Sequence, residues 1–145
     1  MSALGRPLTG VDTNVLLRAL LQDDAAQSPV AAEVLLSFSR EAPGFVTQIT
    51  LVETYWVLRR SFGLSPQEGL GIMRRLLETE SLEFDNGEGA MRALVLAEQG
   101  ADFGDALIAS SMELFGVERV VTFDRRAAQR LGWDLLAGAD QPRSH

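Results

Sequence analysis

The sequence predicts an α/β protein, a three-layer α/β/α arrangement around a short, mainly parallel central sheet. Short apolar stretches alternate with longer segments of helical periodicity, the pattern of successive βαβ units. The chain has 145 residues and 46% hydrophobic content, with charge spread along it, the profile of one compact domain. No repeat, low-complexity segment or internal linker interrupts it. The expectation is a single domain over residues 1–145 with ends that fray at about 1–7 and 138–145.

The elements follow in order. "LTGVD" (8–12) reads as the first strand and "NVLLRALLQ" as a helix that follows at once. "SPVAAEVLLSFSREA" is a helix with Ser28 as N-cap and Pro29 at its first position, which places Val30, Val34, Leu35 and Phe38 on one apolar face. Pro43 and Gly44 end it, and "FVTQ" is a second strand. "TLVETYWVLRRSFG" is a helix closed by Gly63, with Val52, Tyr55, Trp56 and Arg59 at helical spacing. "SPQEGLGIMRRLLETE" opens on a capping box of Ser65 and Glu68, weakened early by Gly69 and Gly71. "LEFD" (82–85) is a third strand and "GAMRALVLAEQG" a helix ending at Gly100. "DFGDALIASSMELFG" is an amphipathic helix, "RVVTFD" a fourth strand, "RRAAQRLG" a helix and "WDLL" a last strand.

Composition removes whole classes of chemistry. There is no cysteine, so disulfides, thiol nucleophiles, iron–sulfur clusters and cysteine-bound zinc are all excluded. The one histidine is His145, in the tail "QPRSH". Acid–base and metal chemistry then falls to carboxylates, hydroxyls and arginine. A net charge of −7 argues against coating nucleic acid through bulk positive charge. All 13 cations are arginine, several of them paired (Arg59–Arg60, Arg74–Arg75, Arg125–Arg126), with Arg130 a turn further on. Their forks match phosphate oxygens two at a time, although a bias that replaces lysine throughout is by itself the better account of the arginines. No apolar run nears the roughly 20 residues that span a bilayer, and "MSALGRPLTG" has no signal-peptide pattern. The expectation is a cytoplasmic protein with no membrane association.

Most of the 20 acids sit where solvated acids belong, as in "ETESLEFDNGEG". Four do not. Asp12 and Asp124 each close an apolar strand, at the C-terminal edge where open α/β sheets bind their ligands. Glu53 lies between Val52 and Tyr55–Trp56, and Asp105 is followed at once by Ala106, Leu107 and Ile108. Each also has a structural account. Asp12, Asp102 and Asp124 can be N-caps, Thr50 with Glu53 has capping-box spacing, and so has Asp102 with Asp105. If strand ends and helix starts converge, each like-charge pair at ~4 Å costs on the order of 4 kcal/mol at an effective dielectric near 20. Either some acids stay protonated or a divalent cation neutralises them. All-oxygen ligation selects Mg²⁺ or Mn²⁺ over zinc, and such a site is suited to activating water and stabilising a phosphoryl oxyanion.

The segments "VDTNVLLRALLQDD", "TLVETYWVLRR", "GADFGDALIASSMELFG" and "RVVTFDRRAAQRLG" resemble the successive acidic motifs of PIN domains, specifically the VapC-type toxins of bacterial toxin–antitoxin pairs. The resemblance runs from about Thr9 to Leu136. It implies a Mg²⁺- or Mn²⁺-dependent endoribonuclease in which Asp12, Glu53, Asp105 and Asp124 hold the metal and position water for attack on an RNA phosphodiester. Asp12 and Asp105 would be the firmest ligands, with Glu53 and Asp124 completing the pocket or binding through water. Asp102 would be an N-cap that also touches the site. Thr13, Asn14 and Thr122 either hold the acids by hydrogen bonds or are ordinary cap and turn residues. Arg59, Arg60, Arg125 and Arg126 contact RNA or antitoxin, or else belong to solvated faces. The resemblance also implies a homodimer and a VapB-type antitoxin; Leu51, Trp56, Phe62 and Leu64 suit an interface or a core.

Rival folds fit less well. A receiver domain needs a lysine, and this chain has none; a haloacid-dehalogenase-type phosphatase needs an aspartate at position 14, which is Asn14. No Gly-rich phosphate-binding loop is present. The alternative of another class is a catalytically inactive PIN-like RNA- or protein-binding module.

Overall fold

The computed structural model describes residues 5–138. The chain divides into two compact units, Met1–Gly87 and Glu88–His145.

In the first unit three strands pair in parallel, in the order β1 (Thr9–Gly10), β2 (Gly44–Val46), β3 (Leu82–Phe84), with Thr9 opposite Gly44 and Gly44 opposite Leu82. Because all three run the same way, the residues that follow them, Asp12, Thr47 and Asp85, leave the same edge. Four helices complete the unit: α1 (Thr13–Leu21), α2 (Gln27–Ser37), α3 (Gln48–Arg60) and α4 (Pro66–Leu77). α1 packs on α2 and α3, α3 on α4, and α4 on β3. Leu16, Val46, Leu51, Leu58 and Met73 are fully buried. Arg6, in the stretch expected to fray, is anchored: it pairs with Glu83 on β3 and donates to the Arg40 carbonyl at 2.8 Å. Of the ends expected to fray, residues 1–4 and 139–145, His145 among them, lie outside the described residues.

Two helix starts differ from expectation. Ser28 is inside α2 and buried instead of capping it. The capping is done by Asp24, whose Oδ1 accepts from the amides of Ala26 (2.9 Å) and Gln27 (2.7 Å), while Ser28 Oγ accepts from the Asp24 amide. A carboxylate that takes two backbone donors outcompetes a hydroxyl that takes one. The buried side of α2 is consequently Ser28 and Ala31, and Val30, expected inside, is 61% exposed. α3 starts earlier than the Thr50–Glu53 spacing suggested. Thr47, extended directly after β2, is its N-cap and accepts from the Thr50 amide at 3.2 Å. Its buried face is Leu51, Thr54, Tyr55 and Leu58, and the Thr54 hydroxyl is satisfied by the Thr50 carbonyl. The Ser65–Glu68 capping box of α4 is present as read, with Pro66 at the first helical position.

The second unit holds α5 (Gly87–Glu98), α6 (Phe103–Glu113), β4 (Val121–Thr122), α7 (Arg125–Leu131) and β5 (Asp134–Leu135). β4 and β5 pair in parallel, Val121 opposite Asp134. α7 packs on α6 and on both strands. Ala93, Leu94, Phe103 and Ala106 are buried, and Ser110 Oγ of α6 donates to the Gly89 carbonyl of α5 at 2.8 Å.

Candidate functional site

In the first unit β1 delivers Asp12 to the sheet edge as the N-cap of α1. Its backbone is extended (φ −89, ψ 173) and its Oδ1 accepts from the Val15 amide at 3.0 Å. Val11 before it is buried, but Asp12 itself is exposed. A carboxylate has room for about four hydrogen bonds or ligand contacts, so one amide on Oδ1 fixes the group's direction without using it up. Capping and ligation, posed as alternatives by the sequence, are therefore compatible at Asp12. Among the described residues no side-chain hydrogen bond joins Thr13 or Asn14 to Asp12. Asn14 lies with Asp12 in a cleft of about 400 Å³, whose walls are Val11, Val15, Val30 and Val34. Arg18, at the same cleft, is held by Asp23 and Gln27.

Glu53 stands well inside α3, exposed. The capping box that would have explained it does not exist, because Thr47 caps the helix and the Gln48 amide goes to Asp85 Oδ1 at 2.9 Å. Asp85 is the residue the sequence reading passed over, grouped with the solvated acids. The available signal was its place: it closes the third apolar strand as Asp12 closes the first.

In the second unit Asp102 is the N-cap of α6 and its Oδ1 accepts from the Asp105 amide at 2.8 Å. That bond sets the first turn on which Asp105 sits, only 3% exposed. Asp124 is the N-cap of α7, 8% exposed, with Oδ1 accepting from the amides of Arg126 (2.9 Å) and Ala127 (3.1 Å). Thr122 Oγ1 accepts from the Asp124 amide at 2.9 Å, so Thr122 does hold a motif acid, through its backbone. The arginines of α7 are partly used by the fold: Arg126 and Arg130 donate to the carbonyls of Gly100 (3.0 Å) and Gln99 (3.3 Å), closing the C-terminal end of α5. Arg59 likewise donates to the Leu64 carbonyl at 2.8 Å.

By chemistry these donors suit a hard divalent cation, since every one is a carboxylate oxygen and the chain has no thiol to compete. Among the described residues no group of three or more Asp, Glu or His side chains forms a ready-made metal cage. The match is one of donor type.

No curated protein matches the chain. Among solved structures it is similar to the VapC20 toxin of Mycobacterium tuberculosis, described as cleaving the sarcin–ricin loop, at 18% identity and a TM-score of 0.42, covering 89% of this chain and 98% of that one. The family model for PIN domains matches residues 11–133, a span that contains Asp12, Glu53, Asp102, Asp105, Thr122 and Asp124. The chain belongs to the PIN-domain family.

Proposed function

We propose that this chain is a divalent-metal-dependent endoribonuclease acting as the toxin of a toxin–antitoxin pair. The observation that carries the reading is the PIN match over residues 11–133, within which each acid matching a family motif stands at a helix start or on an exposed helix face. Asp12 and Asp105 would hold the ion, which would supply a more acidic water and a positive charge for the phosphoryl oxygens; Mg²⁺ or Mn²⁺ fits the donors. Glu53, with no capping duty, orients the attacking water or accepts its proton. Asp124, steered by two amides of α7, completes the set, and Asp102 and Thr122 hold the backbone turns that aim Asp105 and Asp124. A VapB-type antitoxin, a homodimer and a cytoplasmic location belong to the same reading. No helix among the described residues is long and apolar enough to cross a membrane.

The test is incubation of the purified, antitoxin-free protein with total bacterial RNA, with and without Mg²⁺ or Mn²⁺, mapping ends against Asp105→Asn. Discrete metal-dependent cuts absent from the variant support the reading. Well-folded protein that makes no cuts supports the inactive binding module instead.

A further inference from the structure

We propose that the exposed face of α3 is a stacking platform for one unpaired RNA base, with the Trp56 indole as the stacking surface and the Arg60 guanidinium as the adjoining phosphate contact. The inference rests on the ribonuclease reading and adds to it the place where one unpaired nucleotide is held. Ile49, Glu53, Trp56 and Arg60 recur at the spacing of one helical stripe, and all four are exposed, Trp56 by 42%. The opposite stripe, Leu51, Thr54, Tyr55 and Leu58, is the buried one. Trp56, which by sequence suits an interface or a core, is turned outward by the helix.

Its neighbour is a cation. The Arg60 guanidinium lies over the Trp56 ring, 5.6 Å from its centre, and among the described residues no carboxylate pairs with it. Arg59, one residue earlier, is committed to the Leu64 carbonyl, so the two adjacent arginines have separate work. At 1.5 Å per residue Trp56 lies about 4.5 Å along the helix from Glu53, and Arg60 about 6 Å beyond Trp56. A base on the indole therefore sits within one nucleotide's reach of the carboxylate assigned to the attacking water. A nucleobase that takes the place of Arg60 on the indole frees the guanidinium for the phosphate that follows it. A duplex keeps its bases stacked on each other and has none to offer.

Trp133→Phe leaves Trp56 as the only indole of the two in the chain, and Asp105→Asn in the same protein prevents cleavage. This parent is titrated, with Mg²⁺, against a labelled oligouridylate about a dozen nucleotides long and against the same strand in duplex, following indole emission and RNA anisotropy. The single strand, and not the duplex, is expected to quench Trp56. Trp56→Ala is expected to weaken single-strand binding about tenfold and Trp56→Phe to recover most of it. Arg60→Ala is expected to weaken binding and to lower the slope of log affinity against log salt by about 0.7. Unchanged affinity in Trp56→Ala, with no quenching in a parent that binds RNA, overturns the platform and leaves the ribonuclease reading standing. Dissociation of a dimer by Trp56→Ala with RNA affinity per protomer unchanged assigns the stripe to contact between copies and also overturns it. A parent that binds no RNA, from a protein that cuts none, removes both.

Discussion

Two glycines of α4 separate steric demand from helix propensity. Gly69 and Gly71 both lie inside the helix, where replacing glycine by alanine ordinarily gains about 1 kcal/mol from the lower backbone entropy of the unfolded chain. At Gly71 an added Cβ meets nothing within 4 Å, so Gly71→Ala should realise that gain. At Gly69 it would lie 2.9 Å from Tyr55 Cε1 and 3.3 Å from Cδ1. Tyr55 is buried, and a stiff ring held on α3 has nowhere to retreat, so overpacking costs about 1–3 kcal/mol. Net, Gly69→Ala should be destabilising by about 0–2 kcal/mol, and the two variants should differ by roughly 1–3 kcal/mol. In a chain of this size about 1 kcal/mol moves the midpoint by roughly 3 °C. Gly71→Ala should therefore melt a few degrees above the parent and Gly69→Ala at or below it, by thermal and urea denaturation followed by circular dichroism. Equal gains in both variants would refute the claim that α3 and α4 approach so closely that position 69 excludes a methyl group.

Asp12→Asn should abolish metal-dependent RNA cleavage and leave the melting temperature nearly unchanged, because Asn caps helices as well as Asp, whereas Asp12→Ala should also lose about 1 kcal/mol; cleavage assays beside melting curves check both. Asp24 and Glu68 carry carboxyls held below their ordinary values of 3.8 and 4.5 by backbone donors, Gln27 and then Ala26 for the first and Ser65 for the second. A depressed folded value means that the stabilisation is complete above the ordinary value and lost as pH falls through the folded one. Urea midpoints taken from neutrality down to about pH 2.5 should drop in acid, less so in Asp24→Asn. Ser110→Ala, which removes the donor to the Gly89 carbonyl, should cost about 1 kcal/mol in urea denaturation.

The local grammar of the chain was readable where a residue's effect is set by its near neighbours in sequence. Ser65-Pro-x-Glu68 announces a capped helix start because both bonds close within three residues, and Asp12, Asp102 and Asp124 announce caps for the same reason. Four of the five observed strands fall inside apolar stretches marked in advance, and β2 overlaps its stretch but starts one residue earlier, at Gly44. Missed features depend on partners far along the chain or on competition between candidates. Asp85 reaches the Gln48 amide across 37 residues, a link that no spacing reveals. Asp24 and Ser28 both suit the start of α2, and which one prevails depends on which way Ser28 faces. Val30 and Trp56 have apolar side chains at helical spacing, but a helix has two sides, and periodicity alone does not say which of two overlapping stripes is turned inward. For Glu53 the sequence left capping and chemistry open, and the structure withdrew the first by starting the helix at Thr47.

The acids at positions 12, 102 and 124 are each seated on the opening turn of a helix, where backbone donors and the positive end of the helix dipole meet a negative charge. Their charges are accommodated by the chain itself, so folding does not wait for an ion. If the proposed metal dependence holds, divalent cation concentration would act as a dial on activity alone, setting what fraction of an already folded population is armed without changing how much folded protein there is. On the proposed function, a newly made chain would fold, and could meet an antitoxin, before any ion reached these acids.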